Sequence, residues 1–149
     1  MANQPRPPAD RLESILAFET LISDLSSRFI NLPPRDVDRG IEDALRRVCE
    51  FLGIDSAVLW QWSVAAPGVL TPTHFYRMQE GPIPSGPMGQ EHFPWVVGQM
   101  RAGRRVAVSS MEQLPAEASV DLQNARLRGI RSNLSLPLSI GGEPPVGVL

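Results

Sequence analysis

Lysine is absent from this chain: all 14 basic residues are arginine, and against 16 acidic residues they leave a net charge of −2. These arginines are scattered rather than gathered into a basic stripe, so no nucleic-acid partner is expected. Their one local cluster, Arg101, Arg104 and Arg105 around Gly103, reads as a solvated loop. A single cysteine, Cys49, excludes an internal disulfide and fits a reducing compartment. The two histidines, His74 and His92, are isolated from each other and from that cysteine, which leaves a metal site short of ligands. No apolar run approaches the roughly 18 residues that a bilayer span requires. Residues 1–8 are polar and proline-rich without the apolar stretch of a signal peptide, so a cytoplasmic protein with no membrane partner is expected. Missing too are GxGxxG, Walker, HExxH, paired CxxC and GxSxG patterns, and with them the usual support for dinucleotide, triphosphate, zinc-protease and hydrolase chemistry. The carboxylates show no pairing that suggests acid and base roles, and read as solvent-facing charges. No catalytic residue and no metal are therefore assigned.

What is present is an ordinary globular composition, 42% hydrophobic over 149 residues, enough for one sizeable core. The first helix is predicted to start at Asp10, with Glu13 completing a capping box, and to stop at Pro33 and Pro34. Within it Ile15, Phe18, Ile22, Leu25, Phe29 and Leu32 alternate at spacings of three and four, a heptad seam. Such a seam serves a dimer, packs on its own domain, or does both. A second helix is predicted from Asp36 to Leu52, with Val37, Ile41, Leu45, Val48 and Leu52 facing the core and Gly53 as its C-terminal cap. Cys49 stands beside that stripe and reads as a small packed hydrophobe rather than a nucleophile.

Beyond Asp55 the period changes to two. Ala57 to Trp62 and Thr73 to Arg77 are predicted strands joined across a turn at Pro67 and Gly68. Glycines and prolines between Gln79 and Gly89 predict an extended loop, either the lid of a pocket or a surface excursion. A short helix through Phe93, Trp95, Val97 and Met100, a strand at Val106 to Val108, and a helix from about Pro115 to Arg128 follow. That last helix carries Ala118, Leu122 and Ala125 inward and stops at Gly129. Leu134, Leu136, Leu138 and Ile140 then alternate with polar residues as one strand, with Pro137 confined to an edge or a bulge. A glycine turn at Gly141 and Gly142 leads to a return strand at Val146 to Leu149, which is expected to be cut short. The order predicts an α+β fold with a mostly antiparallel sheet. Its expected organisation is a flexible N-terminus at residues 1–9, a signalling or dimerisation helix at 10–34, and a domain at 35–149, incomplete at its C-terminus.

Several stretches carry a resemblance. The run FETLISDLSSRFINLP at residues 18–33, IEDALRRV at 41–48, and Leu59, Trp60, Gln61 resemble the amino-terminal GAF domain of bacterial sensor histidine kinases and related signalling regulators. So do Phe93, Pro94, Trp95, then Leu114, Pro115, the stretch GIRS at 129–132, and Pro137, Leu138 with Gly141, Gly142 and Gly147. The resemblance implies a GAF-like central antiparallel sheet with a helical layer on one face and a small-molecule pocket on the other. It also implies that the end of the final strand and a closing helix are missing, which leaves an open sheet edge.

By the same resemblance the chain is a sensory domain and not a catalyst, placed ahead of PAS and kinase modules. An ATPase-containing transcription activator is the alternative parent, and a ligand-free dimerisation module the alternative role. The cofactor is unknown. No covalent bilin is expected, because Cys49 lies in the second helix, on the layer opposite the usual pocket. The cyclic-nucleotide signature of some family members is absent. His74, Tyr76, Phe93 and Trp95 are the candidate pocket residues, since aromatic walls with a few polar groups suit small ligands. Trp60 and Trp62 stay unassigned between the two sheet faces. A homodimer through Ile15, Phe18, Ile22, Leu25 and Phe29 is the expected partner arrangement.

Overall fold

The computed structural model describes residues 8–80 and 86–149. Residues 1–7 and 81–85, which hold most of the expected free N-terminus and the middle of the expected lid loop, lie outside that description. The described residues form two compact units, one drawn from 8–56 and Tyr76–Gln79, the other from Ala57–Phe75, 80 and 86–149.

The first unit is a helical hairpin of α1 (Pro8–Ile30) and α2 (Val37–Leu52), linked by a single 3-10 turn at Pro34–Asp36. α1 begins at Pro8, whose missing N–H costs nothing at the first helical position. Asp10, expected as the cap, instead lies within the first turn, where its charge opposes the positive end of the helix dipole. The Ser14 hydroxyl donates to the Asp10 carbonyl at 2.8 Å. α2 ends as its sequence predicts: Gly53 is left-handed at φ 64°, and the N–H groups of Gly53 and Ile54 close on the Cys49 carbonyl.

Antiparallel contacts run the length of this hairpin. The Phe18 and Phe51 rings lie 5.8 Å apart, Arg47 reaches Asp24 at 3.2 Å, and Arg28 reaches Asp43 at 2.6 Å. Gly40 leaves room on α2 for the Leu32 and Phe29 side chains. Those contacts flank Leu21, which is buried, while Leu25 one turn later is half-buried. The predicted seam is therefore divided. Phe18 and Phe29 touch α2, whereas Ile15 and Ile22 remain 48% and 44% exposed, alongside exposed Leu12, Leu16 and Ile30.

The second unit holds most of β1 (Ser56–Trp62) and β2 (Leu70–Arg77), then α3 (Pro94–Arg101), β3 (Val106–Val108), α4 (Ser119–Leu127), β4 (Asn133–Ser135), β5 (Pro137–Leu138) and β6 (Gly147–Val148). A four-stranded sheet runs β2-β1-β6-β5, with β6 antiparallel to both β1 and β5. A separate two-stranded sheet pairs β3 with β4. The fold is α+β, with antiparallel sheets and a leading helix.

The alternation from Leu134 to Ile140 does not make one strand. It splits at Leu136: β4 pairs with β3, and β5 crosses to the larger sheet. Pro137 is the reason the crossing is tolerated. Leu136 and Leu149 exchange both backbone hydrogen bonds, at 2.7 and 2.9 Å, so Pro137 faces Val148 at a pair that needs no N–H from it. β5 is also the outer strand, as a proline-bearing strand must be. β6, by contrast, is flanked on both sides, so the expected open edge does not fall on it.

The core of this unit gathers Leu70, Phe93, Val97, Met100, Val106, Met111, Ala125 and Val148. Trp60 and Trp62 pack partly buried against it, which answers which sheet face they serve. Met88, at the end of the glycine-rich loop, bridges Leu70 through two backbone hydrogen bonds of 2.9 and 2.7 Å.

Candidate functional site

α3 lacks a cap of its own. Phe93 at its N-cap position supplies no side-chain acceptor and Pro94 opens the helix, which leaves the next N–H groups needing partners. Asp121, projecting from α4, provides them: its two carboxylate oxygens accept from the N–H of Trp95 at 3.1 Å and of Val96 at 2.9 Å. Asp121 is fully buried, the fate of a carboxylate only when donors surround it. The sequence reading placed the carboxylates in solvent, and Asp121 corrects it. The available signal was its position one residue before Leu122 in the inward-facing set of Ala118, Leu122 and Ala125.

Near this junction Phe93 lies in the core with the Arg128 guanidinium 5.4 Å from its ring centre, and Trp95 packs half-buried against the same core. His74 stands half-buried on β2, its Nδ1 3.1 Å from the Thr73 hydroxyl, which itself donates to the Leu59 carbonyl. Tyr76, two residues further, belongs to the helical unit. Phe93 and Trp95 thus share one neighbourhood; His74 and Tyr76 occupy the strand β2.

A cleft of about 270 Å³ opens where three segments of the second unit meet. The β1–β2 hairpin contributes Trp62, Pro67 and Gly68, the end of α3 contributes Arg101, and the loop before β6 contributes Pro144 and Pro145. The Arg101 guanidinium lies 5.3 Å from the Trp62 ring centre, within cation–π range. Gly68 has φ 88°, a conformation that disfavours side chains, and a Cβ there would collide with the Arg101 guanidinium. The positive φ is what calls for glycine, since the tip of the Arg101 side chain can move aside. The Ser63 hydroxyl, at the same hairpin, accepts from the Ala66 N–H at 3.0 Å and tightens the turn.

Reactive groups are scarce. Cys49 is fully buried in α2, and burial first, with Glu50 second, pushes its thiol above the ordinary value and away from the thiolate. Among the described residues no group of His, Cys, Asp and Glu is placed to hold a metal ion. Among them, too, no helix is long and apolar enough to cross a membrane.

No protein-family model matches the chain, and no curated protein does. Solved structures do. The GAF domain region of a putative membrane protein from Geobacter sulfurreducens is 19% identical with a TM-score of 0.58, over 84% of this chain and 77% of that one. The phycoerythrobilin-bound GAF domain of a cyanobacterial phytochrome is 13% identical with a TM-score of 0.67, over 87% and 77%. The free methionine-R-sulfoxide reductase of Neisseria meningitidis, solved with its substrate, is 17% identical with a TM-score of 0.61, over 91% and 72%. At such identities the likeness is one of architecture, and the architecture of this chain is that of a GAF domain.

Proposed function

We propose that this chain is the sensory or regulatory domain of a bacterial signalling protein, dimerising through α1 and controlling an output module in the same polypeptide, a sensor histidine kinase in the first instance. The observation that carries this reading is the apolar surface that α1 leaves uncovered. Ile15 and Ile22 of the heptad seam, with Leu12, Leu16 and Ile30 beside them, are exposed although α2 is already packed on the other side of the helix. Apolar side chains in a row along one helix face are costly in water and are the material of a helix pair.

The neighbouring fold of a reductase means that architecture alone does not decide against catalysis. The non-catalytic reading rests on side chains: the one thiol is buried with its pKa raised, and the Thr73 hydroxyl beside His74 donates to the Leu59 carbonyl. A small molecule held by Phe93 and Trp95, or by His74 and Tyr76, would act by binding one arrangement of the domain better than another, since only differential affinity shifts a conformational balance. The dimer helix is the element through which that shift reaches the output.

Light scattering over a concentration series tests the reading. Wild-type protein is expected to dimerise and the Ile15→Glu, Ile22→Glu double variant to stay monomeric with unchanged helical circular dichroism. A wild-type chain that remains monomeric throughout would remove the proposal's main support. A thermal-shift screen of metabolites separates the ligand-responsive domain from a dimerisation module without a ligand.

A further inference from the structure

The cation in the hairpin cleft is used differently from its counterparts. Arg28, Arg46, Arg47 and Arg126 each reach a carboxylate. Arg101 has no carboxylate within ion-pair distance among the described residues, and lies against an indole instead. That contact is not a hydrogen bond and uses none of the guanidinium's N–H donors, although one of its amino groups lies against Gly68. Arg104 and Arg105 follow one turn later, and Arg104 donates at 2.8 Å to Gln99, a neutral group, so the local charge is not cancelled there. Glu143, beside Pro144, is exposed and does not line the cleft.

The remaining walls are Trp62, Pro67, Pro144 and Pro145, with Gly68 and with Ser63, whose hydroxyl accepts from the Ala66 N–H. Prolines offer no N–H and have little conformational freedom to lose, so they make an apolar surface that needs little ordering on contact. The cleft, about 270 Å³ and open to solvent, lies just below the usual range for drug-sized ligands and has room for one ring with a short substituent.

From these features we infer that the cleft between Trp62, Arg101 and the Pro144–Pro145 loop binds a small organic carboxylate with a flat apolar body. The carboxylate takes two N–H groups of Arg101 in the fork geometry, and the body lies against the prolines and the rim of Trp62. Neither Phe93 nor His74 lines this site, and it does not require dimerisation.

Benzoate is the probe, with benzyl alcohol and acetate as partners that each lack one half of the chemistry. Titrations are read at the Trp62 indole N–H by NMR, assigned with Trp62→Phe. Benzoate is expected to bind at least about tenfold more tightly than either partner, the worth of one charge-assisted pair at roughly 1.4 kcal/mol per decade. Arg101→Gln is expected to lose that margin, and Arg104→Gln to keep it. Equal binding of benzoate and benzyl alcohol by wild-type protein overturns the site, as does benzoate binding unchanged in Arg101→Gln. The wild-type comparison decides the matter even should the variant misfold. Failure of either arm leaves the dimer measurement untouched.

Discussion

In the helical hairpin, α1 buries Leu21 among its described side chains and exposes Leu12, Ile15, Leu16, Ile22 and Ile30, while ion pairs such as Arg28 with Asp43 bind its flank to α2. In the sheet unit, α3 puts Val97 and Met100 wholly into a shared core, and even the acid that caps it, Asp121, is out of reach of water. The difference shows where each part draws its stability. The sheet unit relies on dry packing, whose loss is expensive, whereas the hairpin combines exposed pairs of small worth with an apolar face still open to a partner.

The largest effect that follows is in the core of the sheet unit. Met100→Ala is expected to cost about 2–5 kcal/mol in urea unfolding, through lost burial and the cavity left behind. Next comes Asp121→Ala, which strands two part-buried N–H groups; about 1–3 kcal/mol is expected, with faster amide exchange at Trp95 and Val96. Gly53→Ala in the hairpin forces a Cβ into the left-handed region and is expected to cost roughly 1–2 kcal/mol. Asp24→Asn, which weakens the pair that Arg47 makes across the hairpin, is expected to have the smallest effect of the four. An effect there as large as that of Asp121→Ala would collapse the contrast.

Acid titration sharpens it further. Asp43 is held below its ordinary value by the Arg46 hydrogen bond, opposed by partial burial and reinforced by the charge of Arg46 and by Arg28. The unfolded chain therefore takes up that proton first. Asp43's contribution is present above about the ordinary carboxylate value and disappears as pH falls through the lower folded value. Asp43→Asn should accordingly flatten the acid limb of a stability-versus-pH curve and leave neutral stability only slightly reduced.

Much of this contrast was legible in the residues. Period and punctuation located the four α-helices of the described residues: Gly53 and Gly129 stop α2 and α4, and Pro94 opens α3. Pro137 announced its own edge strand. What periodicity did not reveal was partnership across distance. One alternating run from Leu134 to Ile140 serves two sheets, because alternation records which face is apolar and not which neighbour supplies the ladder. Asp121 escaped for the same reason: its donors are the amides of residues 95 and 96, which no local pattern links to it. The cleft at Trp62 and Arg101 joins the β1–β2 hairpin, the end of α3 and the loop before β6, and has no signature in any one of them.

The place of β6 bears on the order of events during synthesis. The strand that zips β1 to β5 is the last of the sheet to leave the ribosome, so β1 waits through α3, β3 and α4 before its inner neighbour exists. The helical hairpin, made of near neighbours, can assemble while that vacancy persists. A nascent chain would accordingly carry a finished pair of helices ahead of an unfilled gap in its sheet, and protection from premature association matters most in that interval.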